Sequence, residues 1–368
     1  MRILAFFLSA ASIWAQRPAA GPVIVSPEVH ADKRVTFRLL APQATQVMLR
    51  AESMQPAKME KDEKGVWSFT IGPVRPDMYS YSFSVDGVTV ADPRNSLIKE
   101  AVRGGPASLF DVPGEGVAFH ARQDVPHGAV HEHWYSSKAV GKTRRFHVYT
   151  PPGYDMDPRA TYPVLYLLHG SGDTDREWTT VGRANWIIDN LIAQKKATAM
   201  IVVMPDGHPV DPNSADPAAR GQNTPLFERD LVEDVMPMAE RIYRIRREAS
   251  SRALAGLSMG GGQTLAVGTK HSDKFAHLGV FSMGINERNS NAALMDQLKN
   301  QALNKNLQLF WIGCGKEDGL VEGARKLSET LKANGVKHVY RETDGAHVWW
   351  LWRTYLAELA PQLFRKTS

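Results

Sequence analysis

The sequence predicts an α/β protein, a mostly parallel sheet covered by helices, preceded by a small all-β sandwich. Three observations carry this. From residue 127 onward, short continuous apolar runs such as 162–168 and 199–204 alternate with stretches of helical spacing such as 185–196. Runs of that kind are what strands buried on both faces require. Residues 23–112 instead alternate apolar and polar side chains in short stretches, with turn signals between them. Finally, residues 252–262 read Arg-Ala-Leu-Ala-Gly-Leu-Ser-Met-Gly-Gly-Gly, an apolar strand running into a glycine-rich helix start.

The elements follow in order. Residues 1–15 carry one early charge (Arg2), an apolar run at 3–8 and small residues before Gln16. This predicts a signal peptide cleaved after Ala15, and therefore a secreted or periplasmic protein that does not stay in the membrane. In 23–112, Val35-Thr36-Phe37-Arg38-Leu39 and Val66-Trp67-Ser68-Phe69-Thr70-Ile71 alternate, and Tyr79–Val85 meets Val88–Val90 through Asp86-Gly87. An Asp-Gly pair between two strands is a hairpin signal, because a type I′ turn needs positive φ at both central residues. The alternation puts Tyr79, Tyr81 and Phe83 on one face, where core packing competes with any role in stacking on a ligand.

Residues 113–126, punctuated by Gly and Pro, read as a linker, and 127–368 form the second domain. Its strands are expected at 134–137, 145–150, 162–168, 199–204, 253–255, 276–282, 308–312 and 338–342. Its helices are expected at 185–196, 230–243, 263–268, 323–334 and 348–359. Residues 208–225 show neither pattern and are expected to be a long loop that selects the substrate.

Composition narrows the function class. Of 368 residues, 43% are hydrophobic and 23% charged, ordinary for a globular protein. The net charge of +5 is scattered among acidic residues, so no nucleic-acid partner is expected. Cys314 is the only cysteine, which excludes an intrachain disulfide. His127, His131 and His133 alternate on an early strand without a cysteine or carboxylate to complete a set, so no metal site is expected.

The chemistry concentrates at Gly256-Leu257-Ser258-Met259-Gly260, which fits G-x-S-x-G. In a nucleophile elbow, strand turns to helix so sharply that the serine stands at the apex and the next N–H points at a developing oxyanion. Ser258 is thus the candidate nucleophile and Met259 one oxyanion donor. The α/β-hydrolase fold supplies the acid and base later in the chain, from loops after strands. The loop after 308–312 holds Glu317 and Asp318, and the loop after 338–342 holds Asp344 and His347. Asp318 and His347 sit where acid and base belong, with Glu317 and Asp344 as competitors. A second oxyanion donor is expected from Leu167-Leu168-His169-Gly170-Ser171-Gly172, namely the N–H of Ser171 or else Gly172. Asp173, Glu177, Trp178, His208 and Trp350 are the candidate substrate contacts.

Two resemblances add to this. Phe37-Arg38-Leu39-Leu40-Ala41-Pro42, Gly65-Val66-Trp67, residues 79–87 and Asp92-Pro93-Arg94-Asn95 resemble the early-set, immunoglobulin-like sandwich classed as a family 48 carbohydrate-binding module. Tyr149-Thr150-Pro151-Pro152-Gly153-Tyr154, Val202-Val203-Met204-Pro205-Asp206-Gly207, Phe227-Glu228-Arg229-Asp230-Leu231 and the elbow resemble carbohydrate esterase family one, also called the esterase D group. That resemblance implies a cofactor-independent serine esterase with Ser258, Asp318 and His347 as its triad. It implies feruloyl esters of plant cell-wall polysaccharide as substrates, with acetyl xylan esterase, enterochelin-type siderophore esterase and an inactive glycan-binding protein as alternatives.

Overall fold

The computed structural model describes residues 23–52, 54–285 and 292–365. The expected signal peptide lies outside the described residues. Eight strands of the second domain form one sheet: β1 (Ala129–Ser137), β2 (Lys142–Thr150), β3 (Val164–Leu168), β4 (Ile201–Pro205), β5 (Arg252–Leu257), β6 (His277–Phe281), β7 (Leu309–Gly315) and β8 (Val339–Thr343). Their order is β1-β2-β4-β3-β5-β6-β7-β8. The first two are antiparallel additions, and the rest run parallel.

The continuous apolar strands are used on both faces. Val164, Tyr166 and Leu168 of β3 point into one core with Leu254, Val280 and Ile312. Leu165 and Leu167 point into the other with Ala255, Phe281 and Trp311. Full burial of one such side chain stabilises by about 1.5–3 kcal/mol relative to leaving it exposed. Helices α1 (Ala184–Ala193), α2 (Met259–Lys270), α3 (Val321–Ala333) and α4 (Trp349–Leu359) cover the sheet. Cys314 lies fully buried in β7, and burial pushes its thiol up to about 12.

Two readings are corrected. Residues 208–225 are not a bare loop. They contain a short helix, Pro217–Gly221, with Pro at its start and Asp216 capping the Ala218 N–H, and Asn223–Arg229 begins a second. That second helix runs into Asp230–Val235 with π-type bonding and on through Met236–Ile242, so the helix expected at 230–243 starts earlier.

The N-terminal strands form two facing sheets. One has the order Glu28–Val29, Val35–Leu40, Val66–Ile71, Glu60–Lys61. The other runs Ala57–Lys58, Val47–Ala51, Asp77–Val85, Ala107–Val112, Ile98–Lys99. Asp86 and Gly87 both take positive φ (47° and 91°), making the hairpin that the Asp-Gly pair predicts. Asp86 also binds the Thr45 and Gln46 N–H groups. Trp67, Tyr79, Tyr81 and Phe83 are all buried in the core between the sheets, which removes them from any sugar-stacking role.

The two parts are fastened through buried polar groups. Arg353 of α4, fully buried, donates to Asp77 Oδ1 (2.6 Å) and Met78 O (2.8 Å) of the sandwich and to Val181 O (2.7 Å). The expected linker is itself pinned. Asn190 of α1 donates to Phe119 O and Ala121 O, and the buried His120 ring lies 3.2 Å from Asp77.

Candidate active site

The site gathers at the carboxyl ends of the parallel strands. Ser258 follows β5 and precedes α2 with φ 51° and ψ −115°, a conformation costly for a residue with a side chain. The surroundings enforce it: Ser258 N–H donates to Phe281 O of β6 (2.9 Å), and Gly262 N–H returns to Ser258 O (2.9 Å). Close approach explains the flanking glycines. A Cβ on Gly256 would stand 2.6 Å from the Gly260 backbone, and one on Gly260 would stand 2.5 Å from His169 O.

His347, in the loop between β8 and α4, meets Asp318 through Nδ1···Oδ2 at 2.9 Å. Burial opposes ionisation of Asp318, but hydrogen bonds from His347 and Ser282 hold its carboxyl below the usual range. The competing carboxylates are engaged elsewhere: Glu317 accepts from Gly345 N–H and Asp344 pairs with Lys316 (2.7 Å). Between Ser258 Oγ and the His347 ring there is no hydrogen bond among the described residues. Catalytic hydrogen bonds of this kind are often long in free enzymes and tighten in the substrate complex.

Ser282 is a supporting residue that sequence reasoning missed. It follows β6 at φ 49°, is fully buried, and accepts from Trp352 Nε1 (2.9 Å) while bonding Asp318. Trp352 in turn meets the His347 ring edge-on, with centroids 4.9 Å apart. Its one sequence signal is place: a serine at the end of the strand next to the elbow strand.

Met259 opens α2, so its N–H is among the donors a helix start leaves unpaired. Ser171 N–H has no acceptor among the described residues. The turn that holds it abuts the elbow, since a Cβ on Gly170 would stand 3.6 Å from Ser258 Cβ. Gly172 is different: its N–H donates to His208 Nε2 at 3.4 Å, which leaves Ser171 the freer donor. Burial pushes His208 down to about 4, so its ring is neutral and can accept. His169 is structural. It is buried, and it bridges Gly170 O (2.8 Å) and Gly207 N–H (2.8 Å).

The remaining substrate candidates take other places. Trp178 is buried beneath the loop, its indole donating to Leu168 O (2.9 Å). Glu177 is fully buried, accepts from Thr174 N–H (2.7 Å), and is pushed up to about 7 by burial and by Asp173. Both are therefore packing residues rather than cleft residues. Asp173 is buried against Lys99 of the sandwich at 2.8 Å. Trp350 stacks on the Arg75 guanidinium (3.7 Å) where the two domains meet. The remaining family-like motifs brace the site. Arg144 of β2 reaches Asp230 (3.0 Å), Asp206 O (2.5 Å) and His208 O (3.0 Å), fixing the turn after β4.

Residues 137–363 match the family described as putative esterase. The chain is 31% identical over 348 residues to an endo-1,4-beta-xylanase/feruloyl esterase of Xylanibacter ruminicola, covering 92% of this chain. It spans about half the length of that relative, 46%. Among solved structures, a ferulic acid esterase of Anaeromyces mucronatus matches with TM-score 0.60 and 25% identity, over 69% of this chain and 96% of that one. The enterochelin esterase of Shigella flexneri matches with TM-score 0.66 over 90% of this chain and 92% of that one. At 17% identity, it shares the fold alone.

Proposed function

We propose that the chain, a member of the putative esterase family, is a carboxylic ester hydrolase that acts on acyl esters of plant polysaccharide, feruloyl esters first. The observation that carries the proposal is the elbow serine on one strand end with the paired Asp318 and His347 on two others. The relative that is part feruloyl esterase supports the acyl group.

In this reading Ser258 Oγ attacks the ester carbonyl as His347 takes its proton, and the N–H groups of Met259 and Ser171 receive the oxyanion. Asp318 keeps the imidazole in the tautomer that presents Nε2 to the serine and stabilises its charge. His347 then returns the proton to the leaving sugar oxygen. Water, deprotonated by the same ring, releases the carboxylic acid and frees Ser258. No step requires a cofactor. The apolar run at 3–8 supports export of the protein, which N-terminal sequencing of the mature form would test.

The test is hydrolysis of methyl ferulate and of acetylated xylan by the wild type beside Ser258→Ala. Release of ferulate, lost by a factor on the order of 10⁶ in the variant, is the expected result. Acetate release alone moves the substrate to acetyl xylan. Silence on both esters makes siderophore esters the next substrate to try. Turnover that survives Ser258→Ala removes the serine mechanism.

A further inference from the structure

The N-terminal sandwich reaches the oxyanion turn itself. After the strand Ile98–Lys99, residues 99–103 cross the second domain as a strap. Val102 N–H donates to Gly172 O (2.9 Å), and Asn213 Nδ2 donates to Val102 O (2.9 Å). Lys99 Nζ meets Asp173 Oδ1 at 2.8 Å, with both side chains largely buried. Glu100 takes Arg176 (2.7 Å) and Thr174 (3.4 Å), and the Arg103 guanidinium donates to Pro212 O. The strap therefore grips both the turn after β3 and the segment after β4.

These contacts bear on the peptide that offers Ser171 N–H. The carbonyl of that peptide, Gly170 O, accepts from His169 Nδ1 (2.8 Å) and from Asp173 N–H (3.3 Å). Gly172 is held from both sides, by Val102 on its oxygen and His208 on its nitrogen. Asp173 also poses an electrostatic problem. Its Oδ2 and Ser258 Cβ lie 3.3 and 3.6 Å from the same point, where a Cβ on Gly170 would stand. A buried carboxylate so near the serine would oppose an anion developing there, and Lys99 is the cation that meets it.

The geometry points to Lys99 as a positioning residue of the esterase: it neutralises Asp173 and, with Val102, holds the oxyanion turn in its working shape. The sandwich is thus part of the catalytic unit whether or not it binds glycan. This rests on the serine esterase reading above.

The test uses the full chain, 4-nitrophenyl acetate, which is too small to need a glycan site, and a boronic acid that mimics the tetrahedral intermediate. Lys99→Met lowers kcat by about 10²-fold, the loss seen when one oxyanion donor is misplaced, and leaves KM unchanged. Boronate affinity falls with it, because an analogue of the transition state reads the same donors. Lys99→Arg restores most of both. Lys99→Met combined with Asp173→Asn regains part of the loss, since no unpaired charge remains, and a thermal melt of each variant separates this recovery from regained folding. Val102→Pro, which removes the strap's N–H donor to Gly172 O, lowers kcat in the same sense and serves if Lys99→Met does not fold. Wild-type kcat and boronate affinity in both variants overturn the proposal, as does a defect confined to KM for polysaccharide. Boronate affinity is read without turnover, so a protein silent on every ester would count against the substrate reading and leave this one to its own result.

Discussion

At the scale of single residues, the arrangement around His347 makes Asp318 the most sensitive partner. The carboxylate is buried, held in its ionised form by its hydrogen bonds, and bonded to His347 Nδ1. Asp318→Asn keeps the shape but turns the imidazole to the wrong tautomer, so kcat should fall about 10⁴-fold with little change in melting temperature. Steady-state rates beside a thermal melt check this. The places of Ser258, Asp318 and His347 at strand ends were legible because each depends on local chain features: a glycine-flanked turn, and loops directly after strands. Ser282, Glu177 and Trp178 were not legible in their actual roles. Ser282 acts through a bond to a residue 70 positions away, and a polar or aromatic residue beside a catalytic loop reads alike whether it faces the cleft or packs beneath it.

At the scale of elements, the elbow and the turn after β3 are built against each other. A Cβ on Gly260 would press within 2.7 Å of Leu168 and 2.5 Å of His169 O, and that strand end carries the oxyanion turn. Gly260→Ala should therefore cost about 1–3 kcal/mol by overpacking, and it should lower kcat on small esters as well. A urea titration read beside kcat separates the two effects. Strands were the most legible elements, because a parallel strand buried on both faces leaves an unbroken apolar run. The helix pair at 217–229 was not, because Pro217 and Pro225 and the polar residues around them suppress helical periodicity. Proline fits a helix start there, and Asp216 supplies the cap.

For the whole molecule, the junction between sandwich and hydrolase was invisible to periodicity, which reports each element's own faces and nothing about partners hundreds of residues apart. Its centre is a charge cluster of Asp77, His120 and Arg353. Burial works against the Asp77 carboxylate, yet the His120 ring and the Arg353 guanidinium hold it down to about 2. A folded value below the ordinary 3.8 means that the stabilisation is complete above about pH 5 and is lost as pH falls through 4 toward 2. The wild type should lose about 2 kcal/mol more than Asp77→Asn between pH 5 and pH 2, measured by urea unfolding at each pH. Equal losses would show that Asp77 titrates alike in the folded and unfolded chain. One strand in from the edge of the large sheet sits the one cysteine of the chain, sealed from water and with its thiol shifted far from reactivity. An alkylating dye can attack Cys314 only as thiolate, and only once β7 is uncovered. The protein thus carries its own stopwatch for breathing motions: the pace of labelling in native buffer counts how often the sheet comes apart, with no engineered probe.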